Sequence, residues 1–322
     1  MRYRTFGRTG WQVSEIGFGA WGIGGRQWLG AKDGESVRAL HRAIELGLNF
    51  IDTALAYGDG HSERLVGRVA KDCGARLCIA TKVPPKNYLW PARPGIAIGE
   101  VYPYDYIVRS TEQSLRNLAT DSVDLQQLHV WNPEWLQDAG WRRAFEDLKR
   151  SGKVRAVGVS INDHQPDSAL PLVQTGLVDS VQVIHNIFDQ TPEERLLPLC
   201  QSLGVGVLSR VPLDEGGLTG NIDAGTRFPE GDFRERYFRD DRKHQVADRV
   251  AAIRADLPEI TGTMAEIALR FCLSHQAVSS VIPGMRRVES AESSCAASEA
   301  GALPEDAVAK LRAHAWRRNF YL

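Results

Sequence analysis

The chain has 322 residues with a formal net charge of −1, and 43% of them are hydrophobic. This length and apolar share predict a globular protein, built as one large α/β barrel or as two ordinary domains. A net charge close to zero gives no electrostatic basis for binding nucleic acid or an anionic membrane, so we expect a small-molecule partner.

The cysteines and the N-terminus indicate the cellular compartment. The five cysteines are scattered without a CxxC pair, which is typical of reduced thiols in a cytosolic protein. MRYRTFGRTGW is basic but has no apolar region behind it, and no uncharged run approaches the roughly 18 residues that a membrane span needs. We therefore predict a cytoplasmic protein without a membrane segment.

Short apolar runs recur along the chain, and each is followed by a polar, amphipathic segment. A stretch around GRTG at the N-terminus is predicted to form a hairpin before the first of them. We interpret the runs as buried strands. They cover Ile16–Trp21, Asn49–Thr53, Cys78–Val83, Val123–Val130, Val154–Ser160, Val181–Ile184, Val205–Arg210 and Val278–Pro283.

The segments between these runs have the apolar spacing of helices, as in ESVRALHRAIELG and IVRSTEQSLRNLA. Alternation of strand and helix implies parallel pairing through right-handed crossovers. No shift of composition and no Pro/Ser linker divides the chain. The sequence therefore predicts one domain over residues 1–322, a (β/α)8 TIM barrel with an N-terminal hairpin.

Three connections are longer than a barrel requires: Pro84 to Asp105, Leu213 to about Lys243, and Gly284 to the C-terminus. All three follow strands, so they are predicted to lie on the C-terminal face. Long loops at that face usually build substrate and cofactor sites.

Gly17, Gly19 and Gly22 match GxGxxG, the pattern of a dinucleotide-binding turn in an open α/β sheet. That turn needs a buried strand before it and a helix directly after it. Here only VSEI precedes the glycines, and the next helix is predicted near Asp33. We interpret these glycines as first strand and loop, where the backbone can approach a ligand closely.

Four polar residues lie at or just beyond the ends of three consecutive predicted strands. Asp52 closes NFID, Tyr57 follows after a short loop, Lys82 closes CIATK and His129 closes DLQQLH. In a parallel barrel, side chains at the C-terminal ends of neighbouring strands converge on one face. We expect these four to meet in one pocket.

This set of side chains can deliver a proton to a carbonyl oxygen. Tyrosine, with a pKa of about 10, is a weak acid at neutral pH, so a neighbouring cation such as Lys82 is expected to favour its ionised form. At about 4 Å this interaction would be worth roughly 4 kcal/mol. Asp52 would hold the ammonium, and His129 would donate a hydrogen bond to the substrate oxygen.

Segments across nearly the whole chain resemble the signature segments of the aldo-keto reductase family, in the same order: FIDTALAYGDGHSE, CIATKV, DLQQLHVW, GKVRAVGVS, VPLDEGGLTG and VIPGMRR. The resemblance implies a TIM barrel that transfers hydride between NAD(P)H, usually NADPH, and an aldehyde, ketone or alcohol. It also implies Tyr57 as the proton donor, with Asp52, Lys82 and His129 completing a catalytic tetrad.

The resemblance further implies positions that bind the cofactor. Ser160, Asn162 and Gln182 would contact the nicotinamide carboxamide, although the family often has Asn directly after the serine, where Ile161 stands here. NADPH is expected over NADH because an arginine pair could grip the 2′-phosphate. The other implied positions are Trp21, Arg210, Pro212, Leu213 and Gly217, then Gly284, Arg286, Arg287 and Ser294.

Two departures from the family pattern predict weaker cofactor binding or a less usual reaction. His185 stands where a tyrosine would stack on the nicotinamide, and Ser293 and Ser294 replace Glu and Asn at the adenine.

Aromatic side chains are expected to wall the substrate pocket, namely Trp21, Tyr88, Trp90 and Trp131, which suits a flat, apolar or sugar-like carbonyl compound. His61 is interpreted as a helix start, and no cluster has the spacing of metal ligands.

Two alternatives stay open. Lys82 could form a Schiff base with a substrate in a redox-neutral reaction. The barrel could also be a nucleotide-binding sensor or regulatory subunit with little turnover. The sequence leaves the substrate, the reaction direction and the oligomeric state open.

Overall fold

The computed structural model describes the whole chain, from Met1 to Leu322. Eight parallel strands follow one another around a single sheet in the order in which they occur in the sequence. Nearly all their side chains are buried, as is usual when a parallel sheet is covered on both faces. The strands are β3 (Phe18–Gly19), β4 (Phe50–Asp52), β5 (Cys78–Val83), β6 (Val123–Leu128), β7 (Val154–Ser160), β8 (Ser180–Ile184), β9 (Gly206–Arg210) and β10 (Val278–Val281).

The first and last strands meet and close the barrel. Isolated parallel bridges join Ile16 to Val281 and Gly19 to Gly284. A side chain at Gly19 would place its Cβ 2.5 Å from the carbonyl oxygen of Ile282, so only glycine allows this approach. The predicted TIM barrel is confirmed, and Gly19 belongs to its closure.

Helices surround the barrel, and the longer ones that follow its strands bury an apolar stripe toward it. In α5, Trp141, Ala144 and Leu148 are buried at helical spacing, and the Asp138 side chain accepts a hydrogen bond from the first turn. The helices are α1 (Asp33–Glu45), α2 (His61–Cys73), α3 (Ile98–Val101), α4 (Tyr104–Leu118), α5 (Ala139–Arg150), α6 (Leu170–Thr175), α7 (Leu196–Leu203), α8 (Phe233–Tyr237), α9 (Arg242–Asp256), α10 (Met264–Ser274), α11 (Val288–Ala300) and α12 (Glu305–Arg312).

The predicted N-terminal hairpin is confirmed. β1 (Tyr3–Thr5) and β2 (Gln12–Ser14) pair in antiparallel fashion. Phe6, between them, is fully buried and stacks on Phe50 with ring centroids 5.7 Å apart. The hairpin thereby fills the N-terminal end of the barrel and leaves the opposite end for the site.

The long connections after β5 and β9 start from the C-terminal face, as predicted, whereas the segment after β10 starts there and then forms α11, which packs against α1 and α10 in the helical layer. The one after β5 contains α3, and the one after β9 contains α8. The last ten residues pack beside α8, where Phe320 and Tyr237 are buried together. All five cysteines are free thiols.

No helix has both the length and the apolar composition that crossing a membrane requires.

Candidate active site

Lys82 and Asp52 form an ion pair within the barrel. The Lys82 Nζ atom lies 2.5 Å from Asp52 Oδ1, and both side chains are almost fully buried. The ammonium also donates to the Thr53 carbonyl oxygen at 2.8 Å and to the Tyr57 hydroxyl at 3.2 Å. All three of its N–H groups are therefore used, and the charge is fixed beside the phenol.

Tyr57 reaches the same place from the loop after β4. Its hydroxyl oxygen accepts the hydrogen bond from Lys82, and the Lys82 Nζ atom lies 4.9 Å from the centroid of the Tyr57 ring. Because the phenol accepts from the ammonium, its own hydrogen remains available for another acceptor. The arrangement suits a phenol that donates a proton.

Two opposing effects set the acidity of this phenol. Burial raises the pKa of Tyr57 above its ordinary value, and the charge of Lys82 only partly offsets this. Burial also lowers the pKa of Lys82, but Asp52 and Tyr57 outweigh it and hold that pKa above its ordinary value. Lys82 therefore favours the ionised form of Tyr57, as expected, but removal from water dominates and keeps the pKa of the phenol above its ordinary value.

His129, at the end of β6, completes the group. Its ring meets the Tyr57 ring edge to face, with centroids 5.6 Å apart. Burial lowers the pKa of His129 well below its ordinary value, and the charges of Lys82 and Arg210 act in the same direction. The imidazole is therefore neutral at pH 7, and its buried Nδ1 atom has no hydrogen-bond partner. A neutral imidazole can donate one hydrogen bond to a substrate oxygen.

Aromatic rings form the rim above these residues. The Trp90 ring lies edge to face with His129 at 5.7 Å, and 43% of the residue is exposed. Trp21 lies 6.4 Å from Tyr57 and 5.0 Å from Phe233 between ring centroids. Tyr88 is 72% exposed and contacts Trp90, so it lies at the outer edge of the rim.

Trp131 does not take part in this rim. The residue is completely buried, with 0% of its surface accessible, and its ring packs against Trp135 and Trp141. The indole N–H donates to the carbonyl oxygen of Ser168. The structure places Trp131 in the core, against the helical layer, instead of in the predicted pocket wall.

Gln182 presents an unsatisfied amide. Both its Nε2 and its Oε1 atoms are buried without a hydrogen-bond partner. Ser160 is its register partner on β7, so the two side chains are neighbours. An orphaned amide beside a hydroxyl suits a ligand that carries a carboxamide, which can satisfy both amide atoms at once.

Asn162 is already engaged with the protein. Its Oδ1 atom accepts from the Ala92 N–H at 3.0 Å, and its Nδ2 atom donates to the Ala92 carbonyl oxygen at 3.1 Å. This pair of hydrogen bonds fastens the long connection after β5 to the end of β7. The structure therefore gives Asn162 a positioning role, and its predicted carboxamide contact stays a prediction.

His185 points to the helical layer. Its Nε2 atom lies 2.9 Å from Glu193 Oε1, and its ring lies 5.9 Å from that of Phe271 on α10. Burial alone would lower the pKa of His185, but contacts with Cys272 and Glu193 raise it to about 9. His185 is therefore a buried cation away from the pocket, and the structure does not place it where a ring could stack on a cofactor.

Arg210 points inward from the end of β9. Its guanidinium donates to the Ile161 carbonyl oxygen at 2.9 Å and to Asp163 Oδ1 at 2.7 Å. Pro212, Leu213 and Gly217 follow in the loop after β9, where the backbone of residues 214–216 has positive φ angles. The loop thus takes the predicted place, whereas Arg210 is held against the end of β7.

The arginine pair after β10 is split. Arg286 donates to the Leu29 carbonyl oxygen at 3.0 Å and lies over the Trp28 ring, so the connection after β3 holds it. The Arg287 side chain is 69% exposed, and its Nε atom is 3.9 Å from Glu35. Gly284, which lies between β10 and the two arginines in the sequence, is exposed. Ser294 is buried on α11.

A second polar cluster, which the sequence did not predict, joins the loop after β9 to the C-terminus. Asp214 forms a buried ion pair with Arg318 and accepts from the Tyr237 hydroxyl. Glu215 accepts from the Tyr321 hydroxyl at 2.7 Å, and burial raises the pKa of Glu215 to about 8. Two adjacent acids in LDEGG and the aromatic, basic terminus WRRNFYL were the available signal.

Comparison with known proteins agrees with this geometry. The profile described as "Aldo/keto reductase family" matches residues 15–315. Aldo-keto reductase YhdN of Bacillus subtilis is 32% identical over 240 residues, which cover 73% of this chain and 69% of that protein. The NADH-specific methylglyoxal reductase of Escherichia coli is 31% identical over 235 residues, 69% of this chain and 70% of that protein.

A solved structure has the same fold. The holo form of aldo-keto reductase AKR11C1 from Bacillus halodurans superimposes with a TM-score of 0.76 and 29% identity. The match covers 98% of this chain and 96% of that one. Barrel, tetrad geometry and sequence similarity therefore point to one family.

Proposed function

The chain belongs to the aldo/keto reductase family of oxidoreductases, whose members bind a nicotinamide cofactor, and we propose that it reduces an aldehyde or ketone with NADPH. The observation that carries this proposal is the Tyr57 hydroxyl, which accepts from Lys82 and keeps its own hydrogen free. We propose small carbonyl compounds, or the corresponding alcohols, as substrates. We further propose that residues 1–322 act as one catalytic domain in the cytoplasm.

The residues present fit the nicotinamide. The orphaned amide of Gln182, with Ser160 beside it, offers the donor and the acceptor that a carboxamide needs. The loop containing Leu213 and Gly217 would hold the diphosphate through its backbone. When bound, the reduced cofactor supplies the hydride.

The protein's own residues would handle the proton and the carbonyl oxygen. Neutral His129 would donate a hydrogen bond that orients the oxygen, and Tyr57 would transfer its proton as negative charge develops there. Lys82 would then stabilise the phenolate that remains, while Asp52 keeps the ammonium in place.

The raised pKa of Tyr57 favours the reductive direction at neutral pH. The phenol carries its proton throughout the neutral range because burial holds its pKa above the ordinary value. Oxidation of an alcohol needs the phenolate, so we expect its rate to rise with pH, while the reduction rate stays level until the phenol ionises.

The lysine environment opposes the Schiff-base alternative. A lysine must lose its proton to attack a carbonyl carbon, whereas Lys82 donates three hydrogen bonds and has a raised pKa. We therefore propose an electrostatic role for Lys82. The sensor alternative drew on His185, which pairs with Glu193 in the helical layer, and on Ser294, which is buried on α11.

Tyr57→Phe tests the proposal. We expect the turnover of an activated aldehyde with NADPH to fall by about a thousandfold, because the group that transfers its proton to the carbonyl oxygen is removed. Tyr104→Phe is a matched control, since the Tyr104 hydroxyl bonds to Asp147 on the outer layer. Full reductase activity of Tyr57→Phe would refute the proposed mechanism.

The choice of NADPH rests on Arg287, whose side chain is 69% exposed, makes only a long 3.9 Å ion pair with Glu35 and would turn to a 2′-phosphate. We expect Arg287→Leu to weaken NADPH about tenfold and to leave NADH within twofold. Equal binding of both cofactors by the unaltered protein would remove this part of the proposal.

A further inference from the structure

Arg210 lies across the ends of three neighbouring strands. It ends β9, where it is the register partner of Ile184 on β8, yet its guanidinium donates to the carbonyl oxygen of Ile161 beyond β7. The guanidinium therefore passes over the end of β8, the strand that carries Gln182.

The guanidinium is not fully satisfied. One terminal nitrogen binds Ile161 and Asp163, but the Nε atom is buried and has no hydrogen-bond partner. The positive charge of Arg210 also reaches the tetrad, where it lowers the pKa of both Tyr57 and His129. Arg210 is thus close to the reacting groups, with 19% of its side chain exposed and its Nε atom buried.

We infer that Arg210 forms a wall of the nicotinamide subsite and makes that subsite prefer the reduced, uncharged ring over the oxidised, cationic ring. This inference rests on the proposed function, because it places the carboxamide at Gln182. The oxidised ring carries a formal positive charge, so a nearby guanidinium repels it, whereas the reduced ring is neutral. The rest of the cofactor is the same in both forms, so its contribution to binding cancels in the ratio of the two dissociation constants.

Asp163 sets the size of this preference. Its carboxylate is 2.7 Å from the guanidinium and offsets part of the charge. The carboxylate stands on the loop after β7, and its side chain is 22% exposed, close to the 19% of Arg210, so it opposes the guanidinium charge in a similar environment. Removing the charge of Asp163 should therefore strengthen the preference for the reduced ring over the oxidised ring. Removing the charge of Arg210 should abolish that preference.

The test is equilibrium binding of NADPH and NADP⁺ to the purified protein, by calorimetry or protein fluorescence. The quantity measured is the ratio of the dissociation constant for NADP⁺ to that for NADPH. We expect Arg210→Met to lower this ratio about tenfold, or about 1.4 kcal/mol. Arg210→Lys, which keeps the charge, should stay within about threefold of the unaltered protein.

Asp163→Asn separates the charge effect from a structural one. We expect it to raise the ratio by about threefold, opposite to Arg210→Met. A purely structural ion pair would weaken both cofactor forms together in both variants. A ratio that is unchanged, or that moves in the same direction in the two variants, overturns the inference.

The binding measurements distinguish failure of the Arg210 inference from failure of the proposed function. If the unaltered protein binds neither NADPH nor NADP⁺, the proposed function fails and this inference fails with it. If both bind but the ratio does not respond to residue 210, the proposed function stands and only this inference is refuted. Asp163→Asn keeps the test decisive if Arg210→Met does not fold.

Discussion

The tetrad and the C-terminal cluster are both buried and charged, but they are built in different ways. Asp52, Lys82 and His129 come from the ends of adjacent strands, so the barrel itself brings them together. Asp214 and Glu215 are held by Arg318 and Tyr321, which are more than 100 residues away along the chain. The first region is fixed by strand pairing and the second by the docking of a tail.

This difference leads us to expect that changes in the tetrad mainly reduce turnover, whereas changes in the C-terminal cluster mainly reduce stability. In the tetrad the phenol proton and the His129 imidazole remain free for a ligand. In the C-terminal cluster the hydroxyls of Tyr237 and Tyr321 both donate to carboxylates. The four predictions that follow test this contrast.

Lys82→Met should have the largest effect. Loss of the ammonium removes the charge that stabilises a Tyr57 phenolate, so we expect kcat/KM to fall by about a thousandfold. It also leaves Asp52 buried without its partner, which should lower the free energy of unfolding by about 3–5 kcal/mol.

The double variant Asp52→Asn with Lys82→Met is the control for stability. It removes both charges and should recover most of the unfolding free energy measured in denaturant, while kcat/KM stays low. If activity returned together with stability, the tetrad would be a structural device and the contrast would be lost.

Arg318→Leu should destabilise the protein by about 3 kcal/mol, because it leaves the Asp214 carboxylate buried without its counter-charge. Arg317→Leu is the matched control, since the Arg317 side chain is 80% exposed and pairs with an exposed glutamate. The control should cost less than about 1 kcal/mol. Chemical denaturation of the two neighbouring variants measures the difference, and equal losses would contradict a buried, tail-dependent cluster.

Sequence patterns predicted the tetrad better than the residues around it, for a physical reason. Strand ends can be found from apolar runs, and parallel strands place their C-terminal ends together, so Lys82 and His129 could be assigned to one face. The direction of a side chain beyond a strand end depends on how the chain turns there. His185 and Trp131 turn outward, and Asn162 binds Ala92, which no local pattern reveals.

The acidity of Tyr57 could not be predicted for a related reason. Pairing with Lys82 was foreseeable from the sequence, but the loss of hydration depends on how completely the surrounding loops cover the phenol. Burial outweighs the ammonium here. The same competition governs Glu215 in the other region, where no cation binds the carboxyl directly.

Glu215→Gln should stabilise the protein at neutral and alkaline pH. Burial raises the pKa of Glu215 from 4.5 to about 8. Because the folded value exceeds the unfolded one, stability from the protonated carboxyl is complete below about pH 4.5 and is lost as the pH rises through 8. The neutral amide avoids this loss, and its oxygen can still accept from Tyr321.

We expect the gain of Glu215→Gln in unfolding free energy to grow between pH 5 and 8 and to level off near 5 kcal/mol, an order-of-magnitude value at about 1.4 kcal/mol per pKa unit. Glu230→Gln, on the exposed part of the same loop, should show no comparable dependence on pH. A gain that is constant over this range would show that Glu215 does not titrate between the two values.

Trp90→Leu should have the smallest effect, because Trp90 forms the rim of the tetrad pocket and supports no buried charge. The ring lies 5.7 Å from His129 and remains 43% exposed, so it can contact a substrate without holding the fold together. Contact of this kind stabilises the bound ground state and the transition state alike, so we expect KM to rise about fivefold, with kcat within about twofold of the unaltered protein.

Tyr88→Leu is the control. It removes a ring that is 72% exposed and touches only Trp90 among the aromatic rings, and it should change KM by less than twofold. Steady-state kinetics of the two variants with one aldehyde measures this difference. A fall in kcat for Trp90→Leu would instead mean that the Trp90 ring positions His129 for the reaction. Trp90 would then act with the tetrad and not only as part of the substrate-binding rim.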